Sequence, residues 1–94
     1  MGIVLKTPRA EEDIIEIWFY IAIEKGDRNN ADTFLKRMDQ TFFDLAKNPK
    51  IGVRKNEYAN ALYQFPFGRY LIFYFIINDG IEIVLVLHVA RNIS

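Results

Sequence analysis

Two side chains able to handle charge and protons close the stretch IEIVLVLHVARN, residues 81–92: His88 and, three positions later, Arg91. His88 is the only histidine of the chain. Imidazole titrates near neutral pH, so it can take up or release a proton under physiological conditions. Cleaving an RNA chain would require one group to remove the 2′-OH proton and another to protonate the leaving oxygen, with cations on the phosphate. Tyr70 and His88 are the acid–base candidates for such chemistry, and Arg54, Lys55, Arg69 and Arg91 are the cations. A single histidine, with no Ser/His/Asp set and no carboxylate pair, favours a shaped and charged binding surface over an enzyme. Zinc and iron sites draw on several His or Cys ligands, and the chain has no cysteine, so neither a metal nor a cofactor is expected. Disulfides are excluded on the same ground.

The elements that would position these residues follow from length, charge and period. A chain of 94 residues, 51% apolar and 15% aromatic, supports one small domain with its own core. Twelve basic and twelve acidic residues cancel, so bulk affinity for nucleic acid is not implied. The charges are segregated, however. Up to residue 46 nine acids stand against six bases, and from residue 47 on six bases stand against three acids. A local basic patch is expected in the second half, with Arg69 better placed for it than Lys55, which reads as a solvated loop residue. No signal-peptide pattern opens the chain. The apolar run YLIFYFII, residues 70–77, is far shorter than the roughly 20 residues of a membrane-spanning helix. A cytoplasmic domain without membrane contact is the expectation.

GIVLKT reads as a first strand. Thr7 and Pro8 open a helix, the one as N-cap and the other at the first helical position. Glu11, Glu12 and Asp13 suit the positive end of its dipole. Ile14, Ile17, Trp18 and Ile21 recur at helical spacing, and Lys25-Gly26 stops the helix. A second helix, capped within the polar residues 27–30, carries Ala31, Phe34, Leu35, Met38, Phe42 and Leu45 as its stripe and ends at Asn48-Pro49. Together they form a helical hairpin. Residues 49–60 read as loop and 61–65 as a short strand. Pro66, Phe67 and Gly68 read as a turn, 69–77 as a strand and 81–89 as the last strand. Residues 78–80 form the hairpin between the last two.

A three-residue hairpin loop puts Leu71, Phe73, Phe75 and Ile77 on one face with Ile81, Ile83, Leu85 and Leu87. This wholly apolar face is expected to receive the helices. Tyr70, Ile72, Tyr74, Ile76, Glu82, Val84, Val86 and His88 then share the outer face, because a strand alternates its faces with period two. Five large apolar residues on an outer face predict a partner, as an amphipathic helix or an added strand. Phe19, Tyr20 and Ile23 fall on the acidic side of the first helix and extend the expectation.

Taken in order, TPRAEEDIIEI, Ala31 with Phe34, DLAKNPKIGVRKNE, FPFGRYLIFY and IEIVLVLHVARN resemble the ParE/RelE superfamily of toxins, and its ParE branch more closely. The resemblance covers nearly the whole chain as one domain, residues 1–94. It implies an α+β fold of order β-α-α-β-β-β, with the helical hairpin packed on a small, mostly antiparallel sheet. It further implies a cytoplasmic toxin of a type II toxin–antitoxin pair, of the plasmid stabilisation kind. Such a toxin is neutralised by a cognate antitoxin and acts by binding DNA gyrase. Arg54, Arg69, His88 and Arg91 would face the target. Phe19, Tyr20, Ile23, Ile72, Tyr74, Ile76, Val84 and Val86 would meet the antitoxin or a second copy of the chain. RelE-like relatives instead cut mRNA on the ribosome without a metal, with His88 and Tyr70 then acting as acid and base. A third class is a non-toxic module that keeps only its antitoxin partner. The chain departs from the family pattern at Tyr63, where a basic residue is common, and at Asn92, where Asp is usual. It also stops before the family's short C-terminal helix.

Overall fold

We describe a computed structural model over residues 2–91, and of Arg91 the backbone only; Asn92 lies outside the described residues. The first strand, β1, spans Ile3–Lys6. Thr7 leaves it in extended conformation and accepts the Ala10 N–H at 3.1 Å, with Pro8 at the first helical position. Helix α1, Pro8–Phe19, continues as one π-helical turn over Tyr20–Glu24. Gly26, at φ +68°, ends it in the left-handed conformation that glycine adopts without penalty. Asp27 then accepts the Asn30 N–H at 3.0 Å and starts α2, Arg28–Lys47. The apolar stripe of α2 faces inward as its spacing predicts, with Ala31, Met38, Phe42 and Leu45 fully buried.

The expected loop after α2 contains a 3-10 turn, Pro49–Ile51, and a two-residue strand β2, Val53–Arg54. Strand β3 is Tyr63–Phe67, two residues later than expected, so Pro66 and Phe67 belong to a strand. Proline is tolerated there because β2 pairs only as far as Gln64, which leaves Pro66 on an open edge. Strands β4, Tyr70–Ile77, and β5, Gly80–His88, complete a sheet of order β1-β5-β4-β3-β2. All pairs are antiparallel except β1 with β5.

The β4–β5 hairpin corrects the expected register. Its turn is Asn78-Asp79, with Asp79 at φ +62°, and Ile77 pairs with Gly80. Tyr70 nevertheless pairs with His88 and Phe73 with Leu85, as the three-residue loop required. A β-bulge reconciles the two: β5 carries one extra residue, Val84, opposite the Phe73/Tyr74 step. The tight-turn register holds on one side of the bulge and the expected one on the other.

The faces are corrected too. Ile72 and Tyr74 (0% exposed) and Val86 (4%) lie under the helices with Ile81 and Ile83. Leu71, Phe73, Phe75, Leu85 and Leu87 form a second cluster on the far face, partly roofed by Ala59 and Leu62. The bulge lets Ile81 and Ile83 join Tyr74 and Ile76 rather than Phe73 and Phe75, which gives the helix side its own apolar lining. Tyr74 tolerates burial because its hydroxyl donates to the Pro49 carbonyl at 2.6 Å.

Candidate functional site

β1 ends beside Ile83, while β5 runs on to His88. Beyond that point helix α1 takes over as the neighbour of β5. The Thr7 hydroxyl donates to the Val84 carbonyl at 2.8 Å, and Asp13 accepts the Val86 N–H at 2.9 Å. These two side chains satisfy backbone groups that the bulge and the end of β1 leave without a strand partner. Further along, α1 and its π-turn part from the sheet and leave an open groove of about 600 Å³. Glu16, Phe19, Tyr20 and Glu24 bound it on one side, and Tyr70, Val86 and His88 on the other.

His88 lies in this groove, on the helix side of the sheet and not on the outer face expected from the sequence. Its ring meets Tyr70 edge-on, with centroids 5.2 Å apart and planes at 88°. The Ala90 N–H donates to His88 Nδ1 at 3.2 Å, which assigns the proton of the neutral ring to Nε2. Asp13, Glu16 and Glu24 all line the same groove. Their spacings of three, eight and eleven residues put them near one stripe of the helix, a signal the sequence already held. Of these carboxylates Asp13 is paired with Arg9, while Glu16 and Glu24 bring negative charge to the groove and oppose the approach of a phosphate.

The expected target-facing set divides. Arg69, exposed in the β3–β4 turn, is tied to the end of β5 by the Val89 N–H donating to its carbonyl at 2.8 Å. Arg69 and His88 therefore share one end of the sheet. Arg91 follows in a 3-10 turn, Val89–Arg91, and its side chain lies outside the described residues. Arg54 is on the opposite edge, about 14 Å away across three strand spacings and about 13 Å along the strands. Its Nε donates to Asn56 Oδ1 at 3.2 Å, while Lys55 reaches Glu57 at 3.9 Å. Tyr63 stacks on Tyr74 at 5.6 Å and packs against the core.

The expected partner-facing set divides as well. Phe19, Tyr20 and Ile23 are 43–55% exposed, and Ile15 on the same helix, which the sequence argument passed over, is 56% exposed. Ile76 is exposed at one end of β4, and Val84 is half-buried on the far face. Ile72, Tyr74 and Val86 are core residues, because the register change turns their side chains toward the helices and not to an outer, partner-facing surface.

A two-helix layer on one face of a five-stranded mixed sheet, with an open groove at their junction, defines a small α+β fold. A family model described as the ParE toxin of the type II toxin–antitoxin system, parDE, matches residues 4–93. The chain belongs to that family and is a ParE-type toxin of a type II toxin–antitoxin system. Among solved structures, a chain of the chromosomal ParDE toxin–antitoxin system from P. aeruginosa matches with a TM-score of 0.77 and 13% identity, over 95% of this chain and 97% of that one. The two share a fold. None of the curated proteins matches.

Proposed function

We propose that this toxin arrests growth by binding DNA gyrase, without catalysing a reaction of its own, and that a cognate antitoxin neutralises it in the cytoplasm. The observation that carries the reading is the lining of the His88 groove: the carboxylates of Glu16 and Glu24 with exposed aromatic rings, which suit a protein partner better than a phosphate chain. Arg69, His88 and Arg91 form the proposed target-facing end, with Arg54 as a separate contact on the far edge. Phe19, Tyr20 and Ile23 form the proposed antitoxin surface, with Ile76 and Val84 as outlying contacts. His88 belongs to both regions, so an antitoxin seated over the groove would also block the target-facing end.

Inducible expression in bacteria, alone and together with the adjacent reading frame, tests this reading. Growth arrest with a DNA-damage response or altered plasmid supercoiling, relieved by the neighbouring frame, is expected. Arrest with intact DNA and cleaved mRNA would replace gyrase by the ribosome. Normal growth would leave a module that only binds its antitoxin.

A further inference from the structure

Among the described residues, no strand pairs with β5 beyond Ile83 on its β1 side. The Val89 N–H to Arg69 carbonyl bond makes residues 69 and 89 a hydrogen-bonded pair, and in an antiparallel ladder such pairs alternate. Leu87 is therefore bonded to β4, while the N–H and C=O groups of Val86 and His88 point the other way, toward the groove. Asp13 takes the Val86 N–H. The next two groups along this edge, the Val86 carbonyl and the His88 amide, bracket the place of one residue in an incoming strand. That place continues the line of β1, which stops at Lys6.

The groove also carries a charge preference. Arg9 neutralises Asp13 through bonds of 3.0 and 3.2 Å. Glu16 and Glu24, on the rim, make no ion pair among the described residues. The exposed rings of Phe19 and Tyr20 lie between them in sequence and favour cations over their faces. Lys25 already sits 5.7 Å from the Tyr20 ring, which shows that this surface accepts a cation.

We propose that the groove takes an extended peptide segment, paired with the free end of β5 as an added strand, which carries an arginine or lysine to Glu16 and Glu24. The source of that segment, the antitoxin, rests on the reading given above; the chemistry of the groove does not. The probe is a blocked octapeptide of alternating valine and arginine, added to the isotope-labelled full chain and followed by NMR and amide exchange. Saturable binding is expected, with shifts at Val86 and His88 and about tenfold slower exchange of the His88 amide. A Glu16→Lys/Glu24→Lys variant, altered only at exposed positions, should bind about tenfold more weakly. Two control peptides separate the claims. One has glutamate in place of arginine, and the other has alternate amides methylated; neither should bind. Equal binding of the glutamate peptide would overturn the charge preference, and equal binding of the methylated one would overturn strand pairing. Absence of binding at millimolar peptide would overturn both. Growth arrest alongside a failed peptide test would reject the groove alone. Peptide binding without growth arrest would reject the toxin reading and leave the groove standing.

Discussion

Asp13 holds the Val86 amide at 2.9 Å and the Arg9 guanidinium beside it. Asp13→Ala leaves that amide without an acceptor in a partly buried place, which should destabilise the protein by about 1–3 kcal/mol. Asp13→Asn keeps an acceptor and should lose less. Urea unfolding reads both through the shift of midpoint at constant slope, and an unchanged midpoint for Asp13→Ala would contradict the role. Tyr74 provides a pH prediction. Burial pushes its phenol up from 10.0 to about 12, offset in part by the Gly52 backbone hydrogen bond and raised further by Tyr63. The folded state thus keeps a proton that the unfolded state releases above pH 10, so this stability is present below pH 10 and lost as pH rises to about 12. Tyr74→Phe should be less stable at neutral pH by about 1 kcal/mol and show a shallower loss between pH 10 and 12, measured by thermal unfolding. At this scale the sequence revealed the Tyr70–His88 pair but not its face. Facing depends on Val84, four residues away from His88, and nothing in a run of Ile, Val and Leu marks one of them as the extra residue.

Helix ends were the most legible elements, because Thr7, Pro8, Gly26, Asp27 and Pro49 each act on the nearest turn of backbone. Strand β2 was not legible: two exposed residues show no alternation, and only pairing with Tyr63 and Gln64 makes them a strand. The π-turn at Tyr20–Glu24 escaped for a related reason, since its residues still fit a helical period over so short a span. Gly80 gives the sharpest element-scale prediction. A Cβ there would overlap the backbone of Ile3, its pairing partner in β1. Gly80→Ala should therefore displace β1 and cost about 3 kcal/mol or more. Amide exchange should accelerate across Ile3–Lys6 before it does in α2. A stable variant with protected β1 amides would contradict the packing of this edge.

Across the whole molecule, zero net charge conceals two surfaces of opposite character. The acidic stripe of α1 borders the groove, while Arg69 stands at the end of the sheet where β5 finishes. The sequence disclosed the uneven charge but not that His88 sits on its acidic side, which only the packing of α1 against β5 creates. If the sheet end engages the target and the groove engages the antitoxin, the two functions should separate by mutation. Arg69→Glu should weaken toxicity at least tenfold while leaving antitoxin binding within about threefold, since exposed charges away from an interface contribute little. Phe19→Asp with Ile23→Asp should do the reverse, as judged by co-purification and by growth.

The central claim is inhibition of gyrase by binding, and purified components test it most directly. Relaxed plasmid, DNA gyrase and ATP are incubated with increasing amounts of the toxin, with and without Arg69→Glu. Loss of supercoiling at stoichiometric toxin, restored by that substitution and by added antitoxin, is the predicted result. Full supercoiling at a large excess of folded toxin would contradict the account and move the target away from gyrase.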